Sequence, residues 1–176
     1  MRRAGLVDEE GLPTDPKKIC CLAGKDPADV AARLEELGYK CVKLPQYETD
    51  PASGDKYNKS STIYRYEDPD SDTVHYVRID EEGHMRDAQQ GKAGGIGHFH
   101  IDSCDSSQPA TPNRNTGAVP TDASGQPLTQ DQNYQKQYEP GAQTHDDSHN
   151  PTPKPGPGAS NADWNDWAQK THLPAG

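Results

Sequence analysis

The chain has 176 residues, a formal net charge of −10 and only 30% hydrophobic residues, with 16 glycines and 16 prolines. This composition excludes a hydrophobic core along the whole length, and it predicts a small domain followed by a long polar tail. The acidic charge argues against sequence-independent binding to DNA, which needs a strongly basic surface. No apolar stretch has the length of a membrane span and no secretion signal is visible, so we expect a soluble protein without membrane contact.

The first clear element of the chain is a helix that begins after Asp26 and ends near Gly38. Asp26 is a typical N-cap residue, and the glycine suits the left-handed position that often closes a helix. Val30 and Leu34 recur at helical spacing, which indicates that one face of the helix packs on a core. The preceding residues 1–25 are predicted to form a lead-in of mixed composition.

Short strands follow the helix and predict an antiparallel β-meander. A strand is expected at residues 39–44, and a long polar loop at residues 46–60 separates it from the next element. Tyrosine and β-branched residues predict a hairpin of two strands, at 61–66 and 73–79, around an aspartate-rich turn. A last strand is expected at 96–102. The predicted fold class is therefore α+β, with one N-terminal helix packed on a small antiparallel β-meander of four to five strands and a long extended C-terminal tail.

The predicted domain organisation follows the changes in composition. The compact α+β domain is expected to span residues 26–104. Residues 105–160 are rich in proline, glutamine and asparagine, so we expect an extended or disordered segment. Residues 161–176 are predicted to be a short docking segment, because Trp164 and Trp167 share one helical face and can anchor on a partner.

The final strand carries the most specific chemical pattern of the chain. It follows a short strand expected at residues 84–86 and a flexible, glycine-rich segment. The period of two along a strand puts His98, His100 and Asp102 on one face. Imidazole and carboxylate are ordinary Zn²⁺ ligands, so these three residues form a candidate zinc site of a metal-dependent hydrolase. The metallo-β-lactamase signature HxHxDH is incomplete here, because Ser103 stands in place of its last histidine.

Metal-free acid–base chemistry is the main alternative for the same strand. Two imidazoles, whose ordinary pKa lies close to neutrality, can act as base and acid in the cleavage of RNA through its 2′-hydroxyl. The reaction also needs a cation for the charge that develops on the phosphate, and the candidates are Arg65, Arg78 and Lys92. His75 and His84 are further acid–base candidates. A solvated sheet face without chemistry is the third interpretation.

The hairpin also offers aromatic side chains. Tyr64, Tyr66 and Tyr76, together with Arg65 and Arg78, could form a surface for RNA bases and phosphates. The alternative is that these tyrosines only fill the sheet, as tyrosine often does.

The cysteine pattern gives no disulfide framework. Cys20, Cys21 and Cys41 are expected to be small core residues in a reducing compartment. Cys104 follows Asp102 by two positions, so it could join a metal shell or serve as a nucleophile activated by the neighbouring histidines.

The order of these elements resembles a known group of proteins. A helix with a Leu37-Gly38-Tyr39 exit, a strand, a tyrosine- and arginine-rich hairpin with an aspartate-rich turn, and a strand headed by Gly-x-Gly-His-Phe-His are its shared features. They resemble the small ribonuclease toxins of the barnase/EndoU/colicin/RelE group, which are C-terminal domains of bacterial polymorphic toxins. The resemblance covers about residues 26–104 of this chain.

The resemblance implies a function, a site and partners. It implies metal-independent cleavage of RNA on the sheet, without a cofactor, by His98 and His100 with support from His75, Arg65 or Arg78. It also implies a cognate immunity protein, and delivery within a larger secreted polypeptide to a cytoplasmic site of action. The sequence therefore predicts a toxin-like ribonuclease. The alternatives are a non-enzymatic interaction protein whose acidic tail docks on a partner, and the zinc-dependent hydrolase described above.

Overall fold

A computed structural model of the chain describes residues 5–113, 116–136, 160, 162–163 and 173–176. The predicted docking residues Trp164 and Trp167, and most of the tail predicted beyond residue 136, lie outside the described residues. Within the described part, one longer helix packs on an antiparallel sheet, so the predicted α+β fold class is confirmed.

The main sheet has five antiparallel strands in the order β1-β4-β5-β6-β7, and a second sheet pairs β2 with β3. The elements in chain order are α1 (Pro27–Glu36), β1 (Lys40–Lys43), β2 (Gln46–Thr49), β3 (Lys56–Ser60), β4 (Thr62–Glu67), β5 (Thr73–Asp80), α2 (Met85–Gln89), a 3₁₀ turn (Ala93–Gly95), β6 (His98–Asp105), α3 (Gln130–Gln135) and β7 (Leu173–Pro174). Among the described residues, none of the helices has the length and apolar composition that a bilayer crossing requires.

The helix α1 forms where the sequence predicts it. The Asp26 side chain accepts hydrogen bonds from the backbone N–H groups of Ala28 and Asp29, which caps the helix. Val30 and Leu34 are fully buried against one face of the sheet. The predicted lead-in contributes to the same apolar cluster through three buried side chains: Leu12, Ile19 and Leu22. The core therefore begins well before residue 26.

The central pair of strands, β5 and β6, sets the two faces of the main sheet. Eight consecutive residue pairs join them, from Thr73 opposite Asp105 to Asp80 opposite His98. On one face, apolar side chains pack under α1: Val77, Ile79, Phe99 and Ile101. The opposite face is here called the polar face. It carries the alternate residues of both strands, among them Arg78, Asp80, His98, His100 and Asp102.

Two local predictions are wrong. Residues 46–60 were expected to be a loop, but they fold into the hairpin of β2 and β3. Polar composition hid these strands, because their buried positions carry Asn58 and Ser60, which hydrogen bonds satisfy. Residues 84–86 were expected to be a strand, but Met85 begins the short helix α2.

The segment after β6 also differs from its prediction. The part of residues 105–160 that the structure describes up to residue 136 is not simply extended, because it includes α3 and packs Leu128 and Tyr134 into buried positions. Tyr134 contacts Tyr76 of β5, with ring centroids 4.8 Å apart. This segment covers the end of the polar face that lies away from Asp80.

The turn after β5 packs against the glycine-rich segment before β6. Gly83 has a φ of +71°, and a Cβ atom there would lie 2.6 Å from the backbone carbon of Gly95. The segment predicted as flexible is therefore in close backbone contact with this turn, and the contact fixes how the chain enters β6.

Replacement of Gly83 by alanine tests this close contact. Alanine adds both the left-handed backbone penalty of about 1 kcal/mol or more and a steric clash of about 1–3 kcal/mol. Gly54→Ala is the matched control, because Gly54 also has a positive φ (+78°) but has open space around its Cβ position. We expect urea unfolding to show a clearly larger loss of stability for Gly83→Ala. Equal losses in the two variants would contradict the described packing.

Candidate functional site

The polar face gathers five titratable side chains of β5 and β6. The register places Asp80 opposite His98 and Arg78 opposite His100, and Asp102 lies two pairs further along, opposite Tyr76. All five side chains are buried, with exposed fractions between 0% for His98 and 6% for Arg78. The predicted alternation of His98, His100 and Asp102 on one face is therefore confirmed, but that face is buried rather than solvated.

Asp80 is at the centre of this group. Its Oδ2 atom lies 3.2 Å from Nε2 of His98 and 3.4 Å from Nε2 of His84. Its Oδ1 atom accepts a hydrogen bond of 2.6 Å from the buried hydroxyl of Ser61. One carboxylate oxygen is thus fixed by the serine, and the other faces two imidazole rings.

Backbone carbonyl groups orient both of these rings. Nδ1 of His98 lies 2.6 Å from the carbonyl oxygen of Ile96, and Nδ1 of His84 lies 3.3 Å from that of Asn58. A carbonyl oxygen only accepts hydrogen bonds, so Nδ1 is the protonated nitrogen in each ring. The other nitrogen, Nε2, is therefore the one that faces Asp80.

The charges of the cluster favour an ionised carboxylate. Burial opposes ionisation of Asp80, but the hydrogen bonds and charges of His84 and His98 hold its pKa well below the usual range. Burial likewise opposes protonation of His84, but Asp80 outweighs it and the pKa of His84 is raised. Carboxylate and imidazole thus stabilise each other's charged forms.

Three of these residues have the arrangement of a metal site. Asp80, His98 and His100 each offer one ligand atom, and the three atoms lie within 4.8 Å of one another. In the part of the chain that the structure describes, this is the one group of its kind. The structure places Asp80 in it rather than Asp102, which the sequence suggested as the carboxylate ligand, because Asp102 lies opposite Tyr76 further along the strands.

Other predicted site residues lie apart from this cluster. His75 points to the opposite face of the sheet, near Tyr66, with ring centroids 6.2 Å apart. Tyr64 and Tyr66 also lie on the α1 side, where Tyr64 is buried in the apolar cluster. Lys92 lies in the turn after α2. The register keeps His75, Tyr64 and Tyr66 on the face of the sheet opposite to His98 and His100.

Arg65 shares the polar face, but acidic side chains surround its guanidinium group. Its Nε and Nη2 atoms donate to the two carboxylate oxygens of Asp131 at 2.9 and 2.8 Å, and Nη2 also contacts Glu67 at 2.7 Å. The hydroxyl of Tyr76 donates to the same aspartate. Arg65 therefore ties α3 to the sheet, and a phosphate would have to compete with two carboxylates for it.

The burial of the cysteines differs in part from the prediction. Cys20 is buried as expected, but Cys21 and Cys41 are exposed. Cys104 is buried on the polar face, and burial together with nearby carboxylates raises its pKa to about 12. A thiol with that pKa is protonated at neutral pH, which disfavours Cys104 as a nucleophile or a metal ligand.

Comparisons of the chain with protein families, with curated proteins and with solved structures give no match. The resemblance to ribonuclease toxins therefore remains a prediction from the sequence, and function has to be inferred from the chemistry of the polar face.

Thiol labelling tests the placement of the cysteines. In the folded protein at pH 8 we expect iodoacetamide to modify Cys21 and Cys41, because both are exposed. Cys20 and Cys104 should react only after unfolding, since burial blocks access and keeps the Cys104 thiol protonated. Peptide mass spectrometry, with the urea-unfolded protein as the control, gives the label at each site. Rapid modification of Cys104 in the folded protein would contradict its described environment.

Proposed function

We propose that the protein is a ribonuclease, with its active centre on the polar face of β5 and β6. The observation that supports this proposal is the register of Arg78 opposite His100. It places a guanidinium group on the same face as two imidazoles and a carboxylate. Cleavage of RNA needs groups that transfer protons and a cation that stabilises the charge on the phosphate. This face offers both.

The proposed reaction uses the 2′-hydroxyl of the ribose as its nucleophile. The 2′-oxygen attacks phosphorus while a basic group on the protein takes its proton. The bond between phosphorus and the 5′-oxygen breaks, and that oxygen receives a proton from an acidic group. The products are a 2′,3′-cyclic phosphate and a 5′-hydroxyl end. In this reaction Arg78 is the residue that would hold the non-bridging oxygens of the phosphate.

Arg78 suits this role better than Arg65. The bidentate contact between Arg65 and Asp131 is a strong, charge-assisted arrangement that fixes α3 on the sheet. Arg78 lies opposite His100 in the strand pairing, two pairs from Asp80 and His98. A charge acts more strongly in such a buried site, because the local dielectric constant is lower than that of water.

The approach to the cluster is on the side of His84. Its side chain is 21% exposed, whereas those of Asp80 and His98 are 1% and 0% exposed. His84 follows the turn after β5 and sits at the solvent side of the carboxylate. We therefore expect the phosphodiester to enter next to His84.

Substitution of Arg78 tests the proposed function. Arg78→Gln should lower kcat/KM for cleavage of a single-stranded RNA by about 100-fold or more, since the charge that stabilises the phosphate is lost. Arg78→Lys should retain part of the activity because it keeps the charge but not the bidentate geometry. Fluorescence of a dual-labelled oligoribonucleotide reports the rate.

Two matched controls accompany this experiment. Arg86→Gln removes an exposed arginine of α2, and His75→Ala removes a histidine from the opposite face of β5. Both should keep the wild-type rate, and circular dichroism should show that the Arg78 variants are folded. An inactive wild-type chain, or a folded Arg78→Gln variant with full activity, would refute the proposal.

A further inference from the structure

We propose that Asp80, His98 and His100 bind one divalent transition-metal ion, and that Zn²⁺ is the ion that fits this donor set. The site goes beyond the proposed function, because ion binding does not depend on the substrate. Only the part of the ion in RNA cleavage rests on that function. Four features of the cluster support this site: the facing atoms, their spacing, the groups that orient them and the number of ligands.

The first feature is that two acceptor atoms face each other. Because Nδ1 of His98 donates to the carbonyl of Ile96, Nε2 of the neutral ring carries a lone pair. It lies 3.2 Å from Oδ2 of Asp80, which in the ionised carboxylate is also an acceptor. Such a contact is stable only with a positive charge between the atoms, either a proton or a metal ion. A proton satisfies one such pair, whereas a metal ion binds the ligand atoms of Asp80, His98 and His100 together.

The second feature is the spacing of the ligand atoms. With zinc–ligand bonds of about 2.0–2.2 Å, two ligands of a tetrahedral ion lie about 3.3–3.6 Å apart. The separation of 3.2 Å between Asp80 Oδ2 and His98 Nε2 is close to this value. Because the three ligand atoms lie within 4.8 Å of one another, a common point exists within about 2.8 Å of each. Side-chain movements of less than about 1 Å therefore bring all three to bonding distance.

The third feature is that hydrogen bonds from other groups already orient the ligands. Metal-binding histidines commonly donate their second ring N–H to a carbonyl or a carboxylate, as His98 does to Ile96. Ligating carboxylates are in turn hydrogen-bonded, as Asp80 is by the hydroxyl of Ser61 at 2.6 Å. With these contacts made, Nε2 of His98 faces Oδ2 of Asp80 at 3.2 Å.

The fourth feature is the number of protein ligands. Two imidazoles and one carboxylate are the protein ligands of a common class of hydrolytic zinc site, which keeps a fourth position for water. A bound zinc ion would lower the pKa of that water, and the hydroxide formed near neutral pH would serve as the base that takes the proton of the 2′-hydroxyl. His84 contacts Asp80 but does not belong to the three-residue group. With His98 and His100 as ligands, His84 is the imidazole left for proton transfer to or from the RNA.

Zinc binding by the full chain tests this proposal. The purified protein is treated with a chelator, titrated with Zn²⁺ against a chromophoric competitor, and measured by elemental analysis. We expect one equivalent of bound zinc in the wild type. His100→Ala should bind zinc at least about 100-fold more weakly because it lacks a ligand, whereas His75→Ala should bind like the wild type.

Further variants test whether misfolding, or zinc binding by other histidines, explains the result. Ser61→Ala keeps all three ligands and should bind zinc about 10–100-fold more weakly, with recovery in Ser61→Thr. Ser103→Ala, on the opposite face of β6, is its control. The sequence also has His145, His149 and His172 in its tail, so the variant H145A/H149A/H172A should keep the full equivalent of zinc.

The outcomes separate the ion site from the proposed function. A wild type without bound zinc, or with a full equivalent retained in folded His100→Ala, would overturn the zinc site. Zinc bound through these residues in a chain that does not cleave RNA would support the site and reject the ribonuclease. Undiminished RNA cleavage by zinc-free protein would support the ribonuclease and reject any part of the ion in its reaction.

Discussion

The candidate site depends on the register between β5 and β6. A shift of one residue in an antiparallel pair turns every side chain to the other face. Such a slip would put Asp80 opposite Phe99 and would separate it from the imidazole of His98. The apolar residues that alternate with the site, such as Val77 and Phe99, are buried under α1 and would have to leave the core at the same time. Packing on one face of the sheet thus fixes the chemistry on the other.

The same arrangement carries an energetic cost. An ionised group removed from water costs several kcal/mol, unless hydrogen bonds and opposite charges compensate for it. Asp80 is 1% exposed, and it is compensated by Ser61 and by two imidazoles. A domain of this size has only about 5–15 kcal/mol of net stability, so such a cluster affects a large part of it. Either bound protons or the proposed ion must supply the positive charge that makes this buried carboxylate tolerable.

Local patterns in the sequence predicted a good part of this fold. The cap at Asp26 and the helical spacing after it located α1, and the alternation from His98 placed three polar residues on one face. The sequence did not indicate Asp80 as the carboxylate beside His98, because that contact depends on the pairing of strands 18 residues apart. The signal that could have found it is the alternation of Arg78 and Asp80, in which Asp80 directly follows the hairpin strand predicted at 73–79. The pairing of Arg65 with Asp131, 66 residues away, had no local signal at all.

The most direct measurement is anomalous X-ray scattering at the zinc edge from crystals of the full chain grown with Zn²⁺. The account predicts one strong peak about 2.0–2.2 Å from Oδ2 of Asp80, from Nε2 of His98 and from a ring nitrogen of His100. A folded protein with no peak between these side chains, at a zinc concentration that fills ordinary protein sites, would contradict it. The positive charge beside Asp80 would then be a proton.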